Sequence, residues 1–494
     1  MTTDLRQIAS LNAKRLLSLV DLGVLMSLAC IILYTVSKHE PWADEAQSWL
    51  IARDLPYSRM IFSELRYEGH PALWYTILWP LSHVFKLPYE FLGYIGATFA
   101  IAGLAVLIFL APFPRLVRYL IASSFFLAYQ YAAVARSYNL LPLLAFLAAY
   151  LFRQGLSRVV GFAIALALLI QVSVHGALIG VVMLAFYGLR VFPQWSQLPS
   201  HNRRGIVTGA LIAAISLVVF VLVVYPPADA KALADATESF SLTSHLALTA
   251  ASLISAFSNS LLVGCLFLLV AFVWALQRKG LLLMLPSVVG TAAVYGFLRG
   301  TLHHIGLALI AFLVSIWIIW PDQKKLCSFS VQQRTIHTVF VVCLIVIFGW
   351  QATWSYRAIR NDWEGAYCGA RTTADFLKSV NAEQRGCSAF LYSQVAVAAY
   401  FDHNIFENLG GPNSPSYFHH GLSYERQYDR FPSAYQRSSF VVMVLDHLGK
   451  IEPLVSQMHA DGYALVSRSD GWRFFENTAG LKQTYLVFQR NDAH

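Results

Sequence analysis

Between positions 16 and 350 the chain alternates long apolar runs with short polar breaks, and many of the runs approach the roughly 20 residues a helix needs to cross a bilayer. The runs 16–36, 72–87, 90–111, 116–134, 138–152, 159–174, 176–190, 206–225, 250–276, 281–299, 305–320 and 336–350 predict twelve spans, within a range of eleven to thirteen. Several are short, so they must tilt little, thin the bilayer or pair off as re-entrant elements. After 350 the pattern changes. Apolar runs shrink, a turn signal Leu409-Gly-Gly-Pro-Asn-Ser-Pro415 appears, and short alternating runs replace the long ones. Segments 388–393, 439–446, 463–467 and 484–489 predict strands, and 372–380 and 451–460 predict helices. The expected fold is a polytopic α-helical membrane module over 1–350, with interfacial helices in a first exterior loop at about 37–71. A small soluble α/β domain over 351–494 completes the chain.

Composition supports this reading. The chain is 57% hydrophobic and 13% charged, with mean hydropathy +0.54, against roughly 45–50% and about 25% in soluble domains. The net charge of +9 does not predict nucleic-acid binding. Its basic residues sit in short loops, such as Arg153/Arg158, Arg203/Arg204, Arg278/Lys279 and Lys324/Lys325, where they mark the cytoplasmic side. The start of the chain is basic, and no small-residue cleavage site precedes His39. The first run therefore reads as an uncleaved span with its N-terminus in the cytoplasm.

The loop charges place Arg136, His175, 226–245, 299–304 and everything after 350 outside. Twelve spans from a cytoplasmic start would instead return the C-terminus to the cytoplasm. Either 72–87 does not cross fully or one further span exists.

The most chemically loaded stretch comes directly after the first span: HEPWADEAQSWLIARDLPYSRMIFSELRYEGHPALWY, from 39 to 75. Ionisable groups at that depth are costly beside lipid unless they face a polar cavity. Pro41 with acids just after it predicts a helix start. The pattern over 42–53 predicts an amphipathic helix lying in the interface, its Trp residues at headgroup depth. Asp44 and Glu45 fall in its first turn, where acids also complement the helix dipole by about 0.3–1 kcal/mol. Glu68 and His70 close the same loop at the same face. The carboxylates Asp44, Glu45 and Glu68 suit either general-base work near a reacting hydroxyl or oxygen ligation of a divalent cation, and spacing does not separate the two. His70 serves either chemistry or a capping and packing role.

Arg136-Ser137-Tyr138 sits between apolar runs on the exterior side, where a basic residue needs a partner: a loop carboxylate or a bound anion. Arg299-Gly300-Thr301-Leu302-His303-His304 is similar, with an Arg and two His able to meet a phosphate or merely to snorkel at a span end. His175 reads as structural. Cys368 and Cys387 in the exterior domain form either a disulfide worth about 3 kcal/mol or two buried thiols. No phosphate-binding glycine loop, dinucleotide fingerprint, zinc-protease motif or nucleophile elbow is present.

Ala43-Asp44-Glu45-Ala46, Glu68-Gly69-His70-Pro71-Ala72-Leu73-Trp74-Tyr75 and Arg136-Ser137-Tyr138 together resemble motifs of the GT-C superfamily of membrane glycosyltransferases, in particular protein O-mannosyltransferases and aminoarabinose transferases. The likeness covers about 15–350 in layout and rests on short motifs. Ala72 replaces the family's second proline, and the paired His303/His304 is not general to it. The resemblance implies a bacterial inner-membrane enzyme using a polyprenyl-phosphate-linked sugar donor and an envelope lipid, glycan or protein acceptor, with inversion at the anomeric carbon. It implies Asp44 as general base, with Glu45 and Glu68 in support and His70 and Tyr138 contacting substrate. Arg136, Arg299, His303 and His304 would face the donor phosphate. A transporter of lipid-linked saccharides and a non-catalytic envelope assembly subunit are the competing readings. A transporter predicts polar residues spread along a path rather than gathered at one face.

Overall fold

The computed structural model describes residues 2–231, 241–297, 302–390, 392–422, 438–446, 451–475 and 478–491. Within them the chain is an α-helical bundle capped at one end by a small four-stranded sheet. Five helices are long and apolar enough to cross a membrane: Ser18–Lys38, Tyr89–Leu110, Val174–Gln197, Ser200–Val224 and Val331–Glu364. Shorter apolar helices fill the bundle between them. Gly306–Ile319 is buried at every one of its 14 positions. A helix apolar all round and enclosed by protein need not match the hydrocarbon thickness, which accounts for its length. Its first residue meets Phe126 so closely that an added Cβ would lie 2.1 Å from that ring. Ser200–Val224 instead turns Leu211, Ile215 and Leu222 outward, each about 60% exposed, as a lipid-facing surface does.

Three expected spans differ in the structure. The run 72–87 forms a short helix, Leu73–His83, interrupted by Pro80, and it does not cross. Both its ends stay at one end of the bundle: the Leu73 amide donates to the Gln171 carbonyl (3.2 Å), Trp79 Nε1 to the Leu55 carbonyl (3.0 Å) and the Tyr89 hydroxyl to the Pro41 carbonyl (3.5 Å). This is the first of the two alternatives the loop charges leave open, that 72–87 is not a full crossing.

The run 250–276 is two helices, Leu242–Ser255 and Leu261–Gln277, capped by Ser241 and Ser260. The break between them is held by Gln351, whose amide donates to the carbonyls of Ala256 (3.0 Å) and Phe257 (3.3 Å). The run 116–134 is Arg115–Ala122 and then a π-helical turn, Phe126–Gln130. Such turns interrupt the regular hydrogen-bond ladder and redirect the backbone beyond them, here the segment leading to Arg136.

At the sheet end the last bundle helix, Val331–Glu364, runs unbroken through position 350. The sheet has strands β1 (Cys387–Ala389), β2 (Phe440–Asp446), β3 (Tyr463–Phe475) and β4 (Thr478–Arg490), in the order β1-β2-β4-β3. β1 and β2 are parallel and the other pairs antiparallel. Helices Ala370–Ser379 and Ile451–Ala460 lie where the sequence predicts them. β3 continues well beyond 467, and its extension reaches back to the bundle: the Trp472 amide donates to the Ala366 carbonyl (2.9 Å), and the Arg473 guanidinium stacks on Trp42 at 4.6 Å. Cys368 and Cys387 are separate buried thiols, Cys368 against the Tyr485 hydroxyl at 3.2 Å.

Candidate active site

The loop helix Ala43–Asp54 lies at the sheet end of the bundle, but protein rather than headgroups encloses it. Trp49 is 2% exposed, and Ala46, Leu50, Ile51 and Ala52 are fully buried. The segment 401–420 lies over it. Gln47 exchanges hydrogen bonds with the Phe418 backbone: its amide donates to the carbonyl (2.5 Å), and the Phe418 N–H donates to Gln47 Oε1 (2.9 Å). Arg53 donates to the Phe401 carbonyl (2.5 Å) and Ser416 Oγ (2.8 Å), and the Ser416 N–H donates to Asp54 (2.6 Å). Glu64 binds Tyr417 (2.9 Å) and His419 (2.8 Å). The segment 401–420 is therefore tied down as a roof over the first loop.

Under that roof is a small, partly open cavity of about 30 Å³, lined by Asp44, Gln47, Glu68, His70, Arg136 and Tyr392 among others. Asp44 Oδ2 accepts from Arg136 Nη1 at 2.6 Å, and Asp44 Oδ1 accepts from the Tyr392 hydroxyl at 3.1 Å. The same Arg136 nitrogen donates to His303 Nε2. Burial, with Arg136 and His304 beside it, holds His303 well below the usual imidazole range, so it is a neutral acceptor there. Arg136 keeps its charge despite burial because Asp44 and the phenols of Tyr138, Tyr392 and Tyr75 surround it.

Tyr138 lies at the centre of the adjoining rings, 5.9 Å from His303, 5.5 Å from His304 and 6.4 Å from His70. His304 stacks on His175 at 5.4 Å, so His175 belongs to this wall. Glu68 accepts from Gln47 at 2.9 Å, and burial together with the nearby carboxylates pushes its pKa up to about 8. At neutral pH it is a protonated donor. His70, buried beside Arg136, falls to about 3 and is neutral.

Glu45 does not line the cavity. It is 0% exposed, accepting from His39 Nε2 (3.1 Å), the Trp42 N–H (3.0 Å) and the Ala135 N–H (2.5 Å). His39 Nδ1 pairs with Asp362 at 2.8 Å, and Tyr129 donates to the other Asp362 oxygen at 3.0 Å. Burial opposes the imidazolium, but Glu45 and Asp362 outweigh it and raise His39 to about 10. This buried cation ties the first loop, the 129–135 turn and the last bundle helix together, directly behind Asp44.

With Glu45 spent there, Asp44 and Glu45 do not face a common point. Among the described residues no three His, Cys, Asp or Glu side chains converge as metal ligands, so a cation held by Asp44, Glu45 and Glu68 together does not fit this arrangement. Arg299 lies outside the described residues.

Sequence reasoning missed Gln47, His39, Asp362 and Tyr392. Gln47 carried a signal, being one turn beyond Asp44 on the same helix face. Tyr392 comes from a distant segment and carried none.

No protein-family model and no curated protein matches the chain. Among solved structures it is similar to the crystal structure of ArnT from Cupriavidus metallidurans bound to undecaprenyl phosphate, at 11% identity and a TM-score of 0.49, over 94% of this chain and 97% of that one.

Proposed function

We propose that the protein is a membrane glycosyltransferase that moves a sugar from a polyprenyl-phosphate-linked donor to an acceptor hydroxyl of an envelope lipid, glycan or protein, with inversion. One observation carries the reading. Asp44 and Arg136, 92 residues apart along the chain, meet at one partly enclosed cavity, and His303, a further 167 residues on, accepts from the same Arg136 nitrogen behind it. That is what the sequence motifs require of a base beside a phosphate-binding wall. The basic residues at the opposite end of the bundle set that end in the cytoplasm, so the cavity opens on the periplasmic side and 351–494 is a periplasmic domain.

Asp44 takes the proton from the acceptor hydroxyl as that oxygen bonds to the anomeric carbon. The bond from that carbon to the phosphate oxygen breaks, and its electron pair leaves on the polyprenyl phosphate. Arg136, with His303 beside it, meets the charge that grows on the leaving phosphate. Glu68, protonated below about 8, donates a hydrogen bond to a substrate oxygen, and His70 and Tyr138 form the polar and aromatic walls. His39 and Glu45 act through the backbone and position Asp44.

The test is mass spectrometry of envelope glycolipids, glycans and glycoproteins from cells with and without the gene. A sugar-sized mass difference, restored by re-expression, supports the transferase. Unchanged products, with a lipid-linked saccharide accumulating on the cytoplasmic face, would instead support a transporter.

A further inference from the structure

At the end of the bundle opposite the cavity, four separate parts of the chain bring their basic side chains to one open hollow of about 490 Å³. Its lining includes Arg153, Arg190, Arg278, Lys279 and Lys325, against a single carboxylate, Asp322. Arg153 uses that carboxylate and also donates to the Trp317 (3.0 Å) and Trp320 (2.6 Å) carbonyls, so this pair is internally satisfied. The other four cations are left in excess around the hollow. Scattered loop charges suffice to orient a membrane protein. Convergence on one concavity goes further, because like charges held together repel unless an anion joins them.

Two details of local geometry point the same way. The Arg278 guanidinium is laid flat on Phe329 at 4.1 Å, and its Nε is buried without a hydrogen-bond partner. Lys279 has φ +53°, a conformation that side-chain-bearing residues rarely adopt. The next residue forces it: a Cβ on Gly280 would sit 2.4 Å from Ile319, so the turn is pressed against the last short bundle helix and carries Lys279 to the rim. Strain kept at a functionless turn has no offsetting gain.

We infer that this hollow binds the phosphate head group of an anionic membrane glycerophospholipid. Guanidinium and ammonium groups of this density suit a phosphodiester, and basic pockets between helix ends on the cytoplasmic side take such head groups. A lipid is favoured over a soluble phosphate because the flanking helix ends are apolar and outward-facing, with Leu189 63%, Phe192 77% and Leu282 70% exposed. Acyl chains can run along that surface while the phosphate reaches the hollow.

The test uses the full chain in nanodiscs of phosphatidylcholine with increasing phosphatidylglycerol, reading retained lipid by native mass spectrometry and the unfolding midpoint. Phosphatidylglycerol should remain bound and raise the midpoint, whereas inorganic phosphate or pyrophosphate should not. Each charge removed should weaken retention about fivefold, so Arg190→Gln/Arg278→Gln/Lys279→Gln should lose about 100-fold. The variant should keep its wild-type midpoint in pure phosphatidylcholine. Should the triple variant not fold, Lys279→Gln alone, whose side chain is exposed, should still show the fivefold loss. Undiminished retention in the variants would overturn the assignment. So would equal stabilisation by soluble phosphates, which would make the ligand a free anion.

Discussion

Replacing His39 by Gln removes the one cation between two carboxylates that water does not reach: His39 is 2% exposed, and Glu45 and Asp362 are 0% exposed. The variant keeps the neutral donors to these acids, from Trp42, Ala135 and Tyr129, but leaves two buried negative charges uncompensated. Breaking a buried pair in this way costs about 3–5 kcal/mol. The titration gives a similar figure. The difference between about 10 in the folded protein and the ordinary 6.5 corresponds to roughly 5 kcal/mol at about 1.4 kcal/mol per pH unit.

Linkage sets the sign. Because the folded pKa is the higher one, the stabilisation is fully present below 6.5 and is lost as pH rises from 6.5 to 10. Thermal unfolding of wild type and His39→Gln in the same detergent, measured from pH 6.5 to 10.5, reads this as a gap between two curves. The gap should be widest at pH 6.5 and shrink steadily towards pH 10. Equal stability at pH 6.5, or a gap that does not change with pH, would refute the buried imidazolium.

Glu68→Gln follows the same linkage sign but opens a gap in favour of the variant. The unfolded carboxyl loses its proton near 4.5 and the folded one near 8, so wild type loses stability as pH climbs through that window. The variant keeps the Gln47 contact and should be the more stable protein above pH 8. A variant less stable than wild type at pH 9 would count against a protonated Glu68. Arg136→Gln should weaken binding of a polyprenyl-phosphate analogue by about 10- to 100-fold, the usual value of a charged hydrogen bond, measured by calorimetry in detergent; unchanged affinity would remove Arg136 from the donor site. Gln47→Ala should free the Phe418 N–H and speed its hydrogen exchange by about tenfold or more, and unchanged protection would mean the roof is held elsewhere.

The bundle was legible because lipid demands long apolar runs, and the cavity's acids were legible because they are expensive at a membrane face. The errors share a cause. Periodicity reports apolarity, not which apolar segments are enclosed by protein. Leu73–His83 and the pair Leu242–Ser255/Leu261–Gln277 were therefore misread, one as a crossing and the other as a single span. The loop helix was expected to carry its Trp residues in headgroups, but Trp49 is enclosed by protein, with the Tyr89 ring beside it, which composition alone does not reveal. Asp44 and Glu45 look equivalent as neighbours in a first helical turn. Helical geometry rotates adjacent residues by about 100°, so one faces the cavity and the other the buried histidine. The partners Asp362 and Tyr392 lie more than 300 residues from the groups they serve, beyond the reach of any local pattern.

The measurement closest to the central claim is the envelope product in cells whose only copy of the protein carries Asp44→Asn, with protein level and unfolding midpoint matched to wild type. Asn fills the same volume and can still meet Tyr392, but it cannot take a proton from a hydroxyl. The sugar-modified species should disappear while the protein remains intact in the membrane. If Asp44→Asn cells make that product at the wild-type rate, the cavity carboxylate is not the base.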